Sequence, residues 1–329
     1  MADTEVLIAG GGIIGLSAAL ELAGHGLRVA VLERGKAMQE ASWAAAGMLA
    51  ATDPENPPAL QALAELSIRR YPAFLQRVEQ LSGLRVPLRT AKTLQYTHEG
   101  EQLWLEEHSF DPRDLCAALP AAVRAAGVEL IEETEVLRVT VDGGGVVAET
   151  ARGSFSAAKF ISCCGAWLPP LGTLPVFPVK GQMATVRLPD GVVLDHVIRT
   201  PELYLVPRGD GRVVIGATVE HGGFDKSVER SAIQRMLASA TRLWPAMAAA
   251  EIVETWAGLR PASEDGLPIL GECVGEFANR CWAAAGHFRN GILLAPATAH
   301  LIGQLLRGEK PDVDIAAFRC DRFAVANVH

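Results

Sequence analysis

The 329-residue chain is predicted to be an α/β protein. A parallel sheet of βαβ units is interleaved in sequence with a smaller α+β domain on an antiparallel sheet. Three observations predict it. The N-terminus passes from an apolar strand through GGGIIG (Gly10–Gly15) into a helix and a second strand, the opening of a dinucleotide-binding unit. A second strand-to-helix turn stands near the other end, in WAAAGHFRNGILLAPA (Trp282–Ala297). Between Val176 and Gly216 the text is mostly short strands: PVKGQMATVRL, LYLVPR and RVVIGAT.

Taken in order, Glu5–Ala9 reads as a strand, the following helix runs to about His25, and Arg28–Glu33 is the second strand. The Ala-rich stretch Ala41–Ala51, broken by Gly47, offers small side chains suited to close approach by something bulky. Pro57–Gly83 carries Leu60, Leu63, Tyr71, Phe74, Val78 and Leu81 at helical spacing, and Pro72 is expected to kink or divide it. Strands follow over Val86–His98. Asp111 caps a helix with Pro112 at its first position, and Pro120 makes that helix imperfect. Val128–Glu132, Val136–Val141, Val146–Thr150 and Phe155–Cys163 read as strands returning the chain to the first sheet. Asp210–Gly211 is a hairpin turn by residue type. A helix over Arg230–Leu243, a strand over Glu251–Leu259 and a closing strand and helix to about Arg307 complete the chain. The expected division is a dinucleotide domain over 1–50, 108–170 and 254–329, and a substrate domain over 51–107 and 171–253.

Composition excludes several function classes. A formal net charge of −8 with Lys and Arg interspersed gives no basic face for nucleic acid. No window offers 18 uncharged apolar residues, and the first residues have neither a basic n-region nor an apolar h-region. A cytoplasmic protein without a membrane partner is the expectation. The six cysteines form no CxxC and no spacing that suits zinc, so no metal site is expected. Cys163 and Cys164 read as small buried hydrophobes.

The glycine turn carries definite chemistry. Gly10 makes the tight turn, Gly12 lets the backbone approach a pyrophosphate, and Gly15 lets the helix pack on the sheet. The helix N-terminus supplies free N–H groups and partial positive charge. Glu33, at the end of the second strand, is placed to accept hydrogen bonds from an adenosine ribose. This motif does not choose between FAD and NAD. Two strand-to-helix turns nearly a chain length apart suggest a redox cofactor stretched across the fold, read here as a flavin. In ETWAGLRPASEDGLPILG, Arg260 follows an apolar strand. Its fork suits a substrate carboxylate, and a structural salt bridge is the alternative. Tyr204 is either a second carboxylate contact or a core tyrosine, and Arg289 has the same two readings as Arg260. His287, in a tight loop, is expected to position backbone rather than move a proton.

ASWAAAGMLAA, PVKGQ, LYLVPRGDGRVVIGAT, WAGLRPASEDGLPILG and AAGHFRNGILLAPATA together resemble the ThiO-type glycine oxidases of the D-amino acid oxidase superfamily. The resemblance covers most of the chain. It implies FAD, a glutathione-reductase-type Rossmann domain, and oxidation of glycine, sarcosine or small D-amino acids to an imino acid with O2 reduced to H2O2. Arg260 resembles the family's carboxylate-binding arginine, Tyr204 its tyrosine partner, and Arg289 a second arginine on the substrate side. Ile13, Ile14, Glu33, Arg34, Ser42, Ala46, Gly47, Met48, Val136 and Gly165 fall at positions that resemble FAD contacts. So do His287, Phe288, Arg289, Asn290, Gly291, Ile292 and Leu293. The partners implied are the amino acid, O2, a thiazole synthase taking the imine into thiamine synthesis, and a second copy of the chain in a homo-oligomer.

The chain departs from the family pattern in places. It is shorter by a few dozen residues between Leu94 and Asp111, Val219 replaces a methionine, and Asp53 puts an acid near the site entrance, where it would disfavour anionic substrates. Relatives with covalent flavin carry a cysteine in the segment corresponding to Trp256–Gly271. This chain has none before Cys273, so the FAD is expected to be non-covalent. Two alternatives stand beside the oxidase reading: a D-amino acid dehydrogenase with another electron acceptor, separated by oxygen uptake, and a non-catalytic dinucleotide-binding protein.

Overall fold

The structure, a computed structural model, describes residues 4–167, 171 and 174–327. Its central sheet has the strand order Ile269–Glu272, Cys281–Ala285, Lys159–Ser162, Val6–Ala9, Val29–Leu32, Glu129–Ile131. The pairings are parallel except the one between the first two strands. VLIA, VAVL and CWAAA are unbroken apolar runs because both faces of this sheet are covered.

Among the described residues six α-helices accompany the strands: α1 (Ile13–Gly24), α2 (Ala41–Ala44), α3 (Gln61–Ser82), α4 (Pro112–Ala125), α5 (Arg230–Leu243) and α6 (Gly291–Leu306). Leu16 and Leu20 of α1, Leu63 of α3, Leu119 of α4 and Leu301 of α6 share one core with Val6, Ile8 and Val31 of the sheet. The opposite face is covered by a small antiparallel sheet of Val136–Asp142, Gly145–Thr150 and Gly153–Ala157, whose Val139, Val146 and Ala148 pack with Leu7, Leu32 and Phe160.

The second large sheet has the order Glu251–Ser263, Val176–Arg187, Arg212–Gly216, Tyr204–Pro207, Val197–Arg199, Thr93–Tyr96, Gln102–Leu105. Only Val197–Arg199 and Thr93–Tyr96 run parallel. Ile233, Met236 and Ala240 of α5 close one face of it over Ala184, Leu205 and Ile215. The other face turns towards the first sheet, with Met183, Val206, Val214 and Trp256 packed on Ala44 and Ala46. The approach is close because both surfaces are small. A Cβ on Gly258 would lie 2.5 Å from that of Ala44.

Several elements differ from the sequence expectation, each for a physical reason. Pro72 lies inside an uninterrupted α3, and Pro120 inside an uninterrupted α4. Helices tolerate proline when tertiary packing outweighs the lost bond, and Leu63, Tyr71 and Val78 of α3 are all buried. Although expected in the second domain, α3 lies on α4 and α6 against the parallel sheet. Of the strands expected to return to that sheet, Val136–Val141 and Val146–Thr150 belong to the small antiparallel one. Phe155–Cys163 divides at Ala158 between the two sheets. The expected boundary at 254 falls inside the continuous strand Glu251–Ser263, which belongs wholly to the second sheet.

Candidate active site

Between the two sheets runs a cleft of about 380 Å³. Its floor is the glycine turn. Gly10 has φ +105°, and a Cβ there would come within 2.6 Å of the Cys163 carbonyl carbon. Gly15 is demanded by the fold as well, since a Cβ would collide with the Gly10 carbonyl oxygen. Gly12 is different. A Cβ at this position would meet only the Ser42 hydroxyl, at an ordinary 3.4 Å. The fold would accept a side chain at 12, so its absence keeps the N-terminus of α1 open to the cleft. That is the fit expected for a pyrophosphate, which needs close backbone approach. The Ser42 hydroxyl accepts the Ile13 N–H at 2.9 Å. Glu33 accepts the Gly11 N–H at 2.6 Å and the Gly35 N–H at 2.8 Å, which fixes its carboxylate at the end of its strand.

The structure gathers most of the expected cofactor residues on this cleft. Gly10, Gly12, Ile13, Ile14, Glu33, Arg34, Ser42, Ala46, Gly47, Met48, Val136 and Gly165 line it, with His287, Phe288, Arg289, Asn290, Gly291 and Ile292 opposite. Two do not. Gly15 packs under the turn, and Leu293 is buried in α6 with its carbonyl accepting the Ser67 hydroxyl at 2.6 Å. Arg34 lies over the Trp167 ring at 3.6 Å and donates to Glu40 at 3.0 Å. The buried Arg208, missed in the sequence, donates to the Ala46 carbonyl at 2.8 Å and so holds the Ala-rich segment in place.

At the other end, Arg260 is not held in a structural salt bridge among the described residues. Its Nη1 donates to the carbonyls of Thr218 (3.1 Å) and Lys180 (3.4 Å), and among the described residues no carboxylate pairs with it. A guanidinium that lines a cleft without an anionic partner has its fork free to bind one. The Tyr204 side chain lies beside it. Burial raises the Tyr204 pKa, partly offset by the charges of Arg260 and Arg208, so the phenol stays protonated and able to donate. Two glycines make room for this pair. A Cβ on Gly181 would fall 2.5 Å from the Arg260 Cζ, and one on Gly216 would fall 2.5 Å from the Tyr204 Cζ. Sequence reasoning missed both, although glycine inside a strand (PVKGQ, VVIGAT) is a known mark of close approach.

Arg289 is not free in the same way. Its Nη2 lies 3.6 Å from Asp53 Oδ2, which also faces Arg199 Nε at 3.6 Å. Arg199 in turn donates to Glu107 at 2.9 Å and to Gln95. Val219 lines the cleft, half open to solvent.

His287 is buried, with Nε2 3.1 Å from the Thr298 hydroxyl, and burial lowers its pKa to about 4. It is neutral at working pH and positions the turn. α6 opens at Gly291 on the cleft wall and points its partial positive end there. The fourth residue after Ile292 is Pro296, which cannot donate to the Ile292 carbonyl, and the Tyr71 hydroxyl of α3 donates to it instead. The Ser67 hydroxyl, which donates to Leu293, also accepts the Ala297 N–H at 3.3 Å, so α3 holds this helix end at two points.

The chain matches the DAO family, described as FAD dependent oxidoreductase, over residues 5–108 and 102–305. It belongs to this family. The two matched stretches overlap at 102–108, which takes in the strand Gln102–Leu105 of the hairpin with Thr93–Tyr96. A glycine oxidase of Pseudomonas aeruginosa is 36% identical over 358 residues, covering 95% of this chain and 98% of its own. A bifunctional ThiO/ThiG protein of Synechocystis is 37% identical over 97% of this chain and 54% of its own length. The crystal structure of a glycine oxidase from Geobacillus kaustophilus superposes with a TM-score of 0.92 at 32% identity, covering 97% of this chain and 98% of that one. As a member of an FAD-dependent family, the chain is a flavoprotein. Among the described residues no helix is long and apolar enough to cross a membrane.

Proposed function

We propose that this chain is an oxidase of glycine or another small amino acid, with FAD held non-covalently across the cleft. The observation that carries the reading is the Arg260 guanidinium, unpaired by any acid among the described residues and flanked by the Tyr204 hydroxyl, at the opposite end of the cleft from a dinucleotide turn. Bound FAD would accept a hydride from the substrate Cα and return its electrons to O2 as H2O2.

The chain's own residues bind and orient. Arg260 takes the carboxylate through its fork, and Tyr204 donates a further hydrogen bond to it. Two fixed points on one carboxylate restrict how the Cα–H can face, and such orientation supplies much of a rate. The N-terminus of α6 stabilises negative charge that develops against it. Hydride transfer from a neutral amine needs no side-chain base, and His287 is neutral, buried and engaged with Thr298. The substrate amine must itself be neutral, so turnover rises on the alkaline side. The imino acid from glycine hydrolyses to glyoxylate and ammonia when released, or passes to a thiazole synthase, as the fused ThiO/ThiG name of one relative suggests. The state of the thiols on the cleft supports non-covalent attachment. Burial pushes the Cys164 thiol up to about 11 and raises that of Cys163 too, which keeps both protonated.

Anaerobic mixing of the purified yellow protein with glycine, sarcosine and D-alanine tests the reading. Bleaching by at least one of them, with recovery of colour and formation of peroxide on admitting air, is the expected result. A flavin that none of the three bleaches would overturn it, and bleaching without recovery in air would make the chain a dehydrogenase.

A further inference from the structure

We propose that Asp53 sets the specificity of the site by cancelling the charge of Arg289, so that Arg260 is left as the single carboxylate receptor and substrates with a second carboxylate are refused. The inference rests on the oxidase reading and names what that site will not accept.

The argument is one of charge placement. Among the described residues four arginines line the cleft: Arg34, which lies over Trp167 and donates to Glu40, and Arg199, Arg260 and Arg289. The last three, as cations around a small cavity, would favour a dianion. The distribution of acids prevents this. Asp53 is only 9% exposed, and its Oδ2 lies 3.6 Å from both Arg199 Nε and Arg289 Nη2. Behind it Glu107, 3% exposed, accepts from Arg199 Nη1 at 2.9 Å and Nη2 at 3.4 Å. Glu107 is itself held by the Thr52 hydroxyl at 2.8 Å and the Thr52 N–H at 3.1 Å. Two cations and two anions thus form a neutral group, buried except at Arg289, whereas Arg260 has backbone carbonyls and Tyr204 beside it and, among the described residues, no acid.

Asp53 cannot easily turn away. Its Oδ1 accepts the Glu55 N–H at 2.9 Å, and its carbonyl accepts the Asn56 N–H at 3.0 Å. The loop is pinned again by Asn56, which donates to the Ala50 carbonyl at 2.8 Å and accepts from Asn290 in the turn before α6 at 3.1 Å. Arg289, by contrast, keeps a side chain 39% exposed on the cleft wall. A second substrate carboxylate reaching Arg289 would have to displace Asp53 or lie against it. Both are penalised, because like charges at contact in a site of lowered dielectric repel strongly. One carboxylate and one amine therefore satisfy the site.

The test uses the FAD-loaded protein and two simple probes, acetate and malonate, followed by the perturbation of the flavin absorbance. In the wild type malonate binds more weakly than acetate. In Asp53→Asn the ratio of the malonate to the acetate Kd falls by about tenfold or more, the scale of one unit charge removed at close range. Asp53→Ser, whose hydroxyl still accepts the Glu55 N–H, gives the same fall and covers the case in which the amide disturbs the loop. Asp53→Glu, which keeps the charge, leaves the ratio within about threefold. A general loosening of the site would weaken both probes and leave the ratio where it was, so an unchanged ratio in Asp53→Asn and Asp53→Ser would overturn the inference. Bleaching of the wild type by iminodiacetate or D-aspartate as readily as by glycine would overturn it alone and leave the oxidase reading standing. A wild type that no amino acid bleaches would overturn both.

Discussion

Gly181→Ala should remove most of the activity while leaving the fold in place. Gly181 sits in the long strand Val176–Arg187, paired with Gly258 across the sheet, and has no left-handed φ, so alanine imposes no backbone strain. The added methyl would stand 2.5 Å from the Arg260 Cζ, where ordinary van der Waals contact begins at 3.4 Å. The guanidinium must therefore move by about 1 Å, and a misplacement of that size at a reacting centre costs about a hundredfold. The atoms that must give way end a flexible side chain on the cleft wall, so the cost in stability is small, within about 1 kcal/mol. The assay is oxygen uptake with glycine as substrate, alongside thermal unfolding of the FAD-loaded protein. The expected result is a kcat/KM lowered by about two orders of magnitude with Tm shifted by no more than a few degrees. A kcat/KM within about threefold of wild type would mean that the guanidinium over Gly181 does not hold the substrate. An unfolded variant would refute the claim that the strand tolerates a methyl.

Two further expectations concern neighbouring groups. Arg260→Met keeps the bulk and removes the charge; it should lower kcat/KM for glycine by about 2–5 kcal/mol, the range for deleting one partner of a buried charge pair. A kcat/KM unchanged in steady-state kinetics would remove Arg260 from the site. His287 adds a pH dependence to stability. Its pKa is lowered from 6.5 to about 4 by burial, so the unfolded chain binds the proton more tightly than the native one. Its contribution is full above pH 6.5 and is lost as the pH falls towards 4, amounting to about 3 kcal/mol at most. Denaturant unfolding across that window should show this slope in the wild type and a shallower one in His287→Gln, and equal slopes would refute it.

What was legible in the sequence is what is encoded locally. The glycine turn, α1 and the Asp111 cap lie within a few residues of their own signals, and the structure has them at Gly10–Gly15, Ile13–Gly24 and Asp111, whose carboxylate accepts the Arg113 N–H at 3.1 Å. Arg260 could be seen as a candidate, but its choice between salt bridge and receptor depends on what lies opposite, and that comes from Lys180 on another strand and Thr218 just past the end of a third. The same holds for Arg199. Its partners Gln95 and Glu107 lie about a hundred positions away, reached through the parallel pairing of Val197–Arg199 with Thr93–Tyr96, which no local pattern announces. The division into domains is blurred for a related reason. α3 was assigned by its place in the chain, whereas its position is decided by an apolar face that fits α6.

That fit has a consequence for the site. α6 carries Pro296 in its second turn, a residue that removes one helical hydrogen bond and would leave a buried carbonyl unsatisfied near the cleft. A helix weakened there would fray at its N-terminus, the end whose partial charge faces the cleft. Tyr71 prevents this by supplying the missing bond to Ile292 from outside the helix, and Ser67 bridges the next carbonyl, of Leu293, and the Ala297 N–H. The burial that makes Tyr71 a poor acid, raising its pKa, keeps its hydroxyl a donor at every working pH. The proline therefore makes the aim of α6 depend on α3 rather than on α6 alone. The orientation of the helix end at the cleft is a property of the packed domain, and substitutions on the far side of α3 will reach the site through these two hydroxyls.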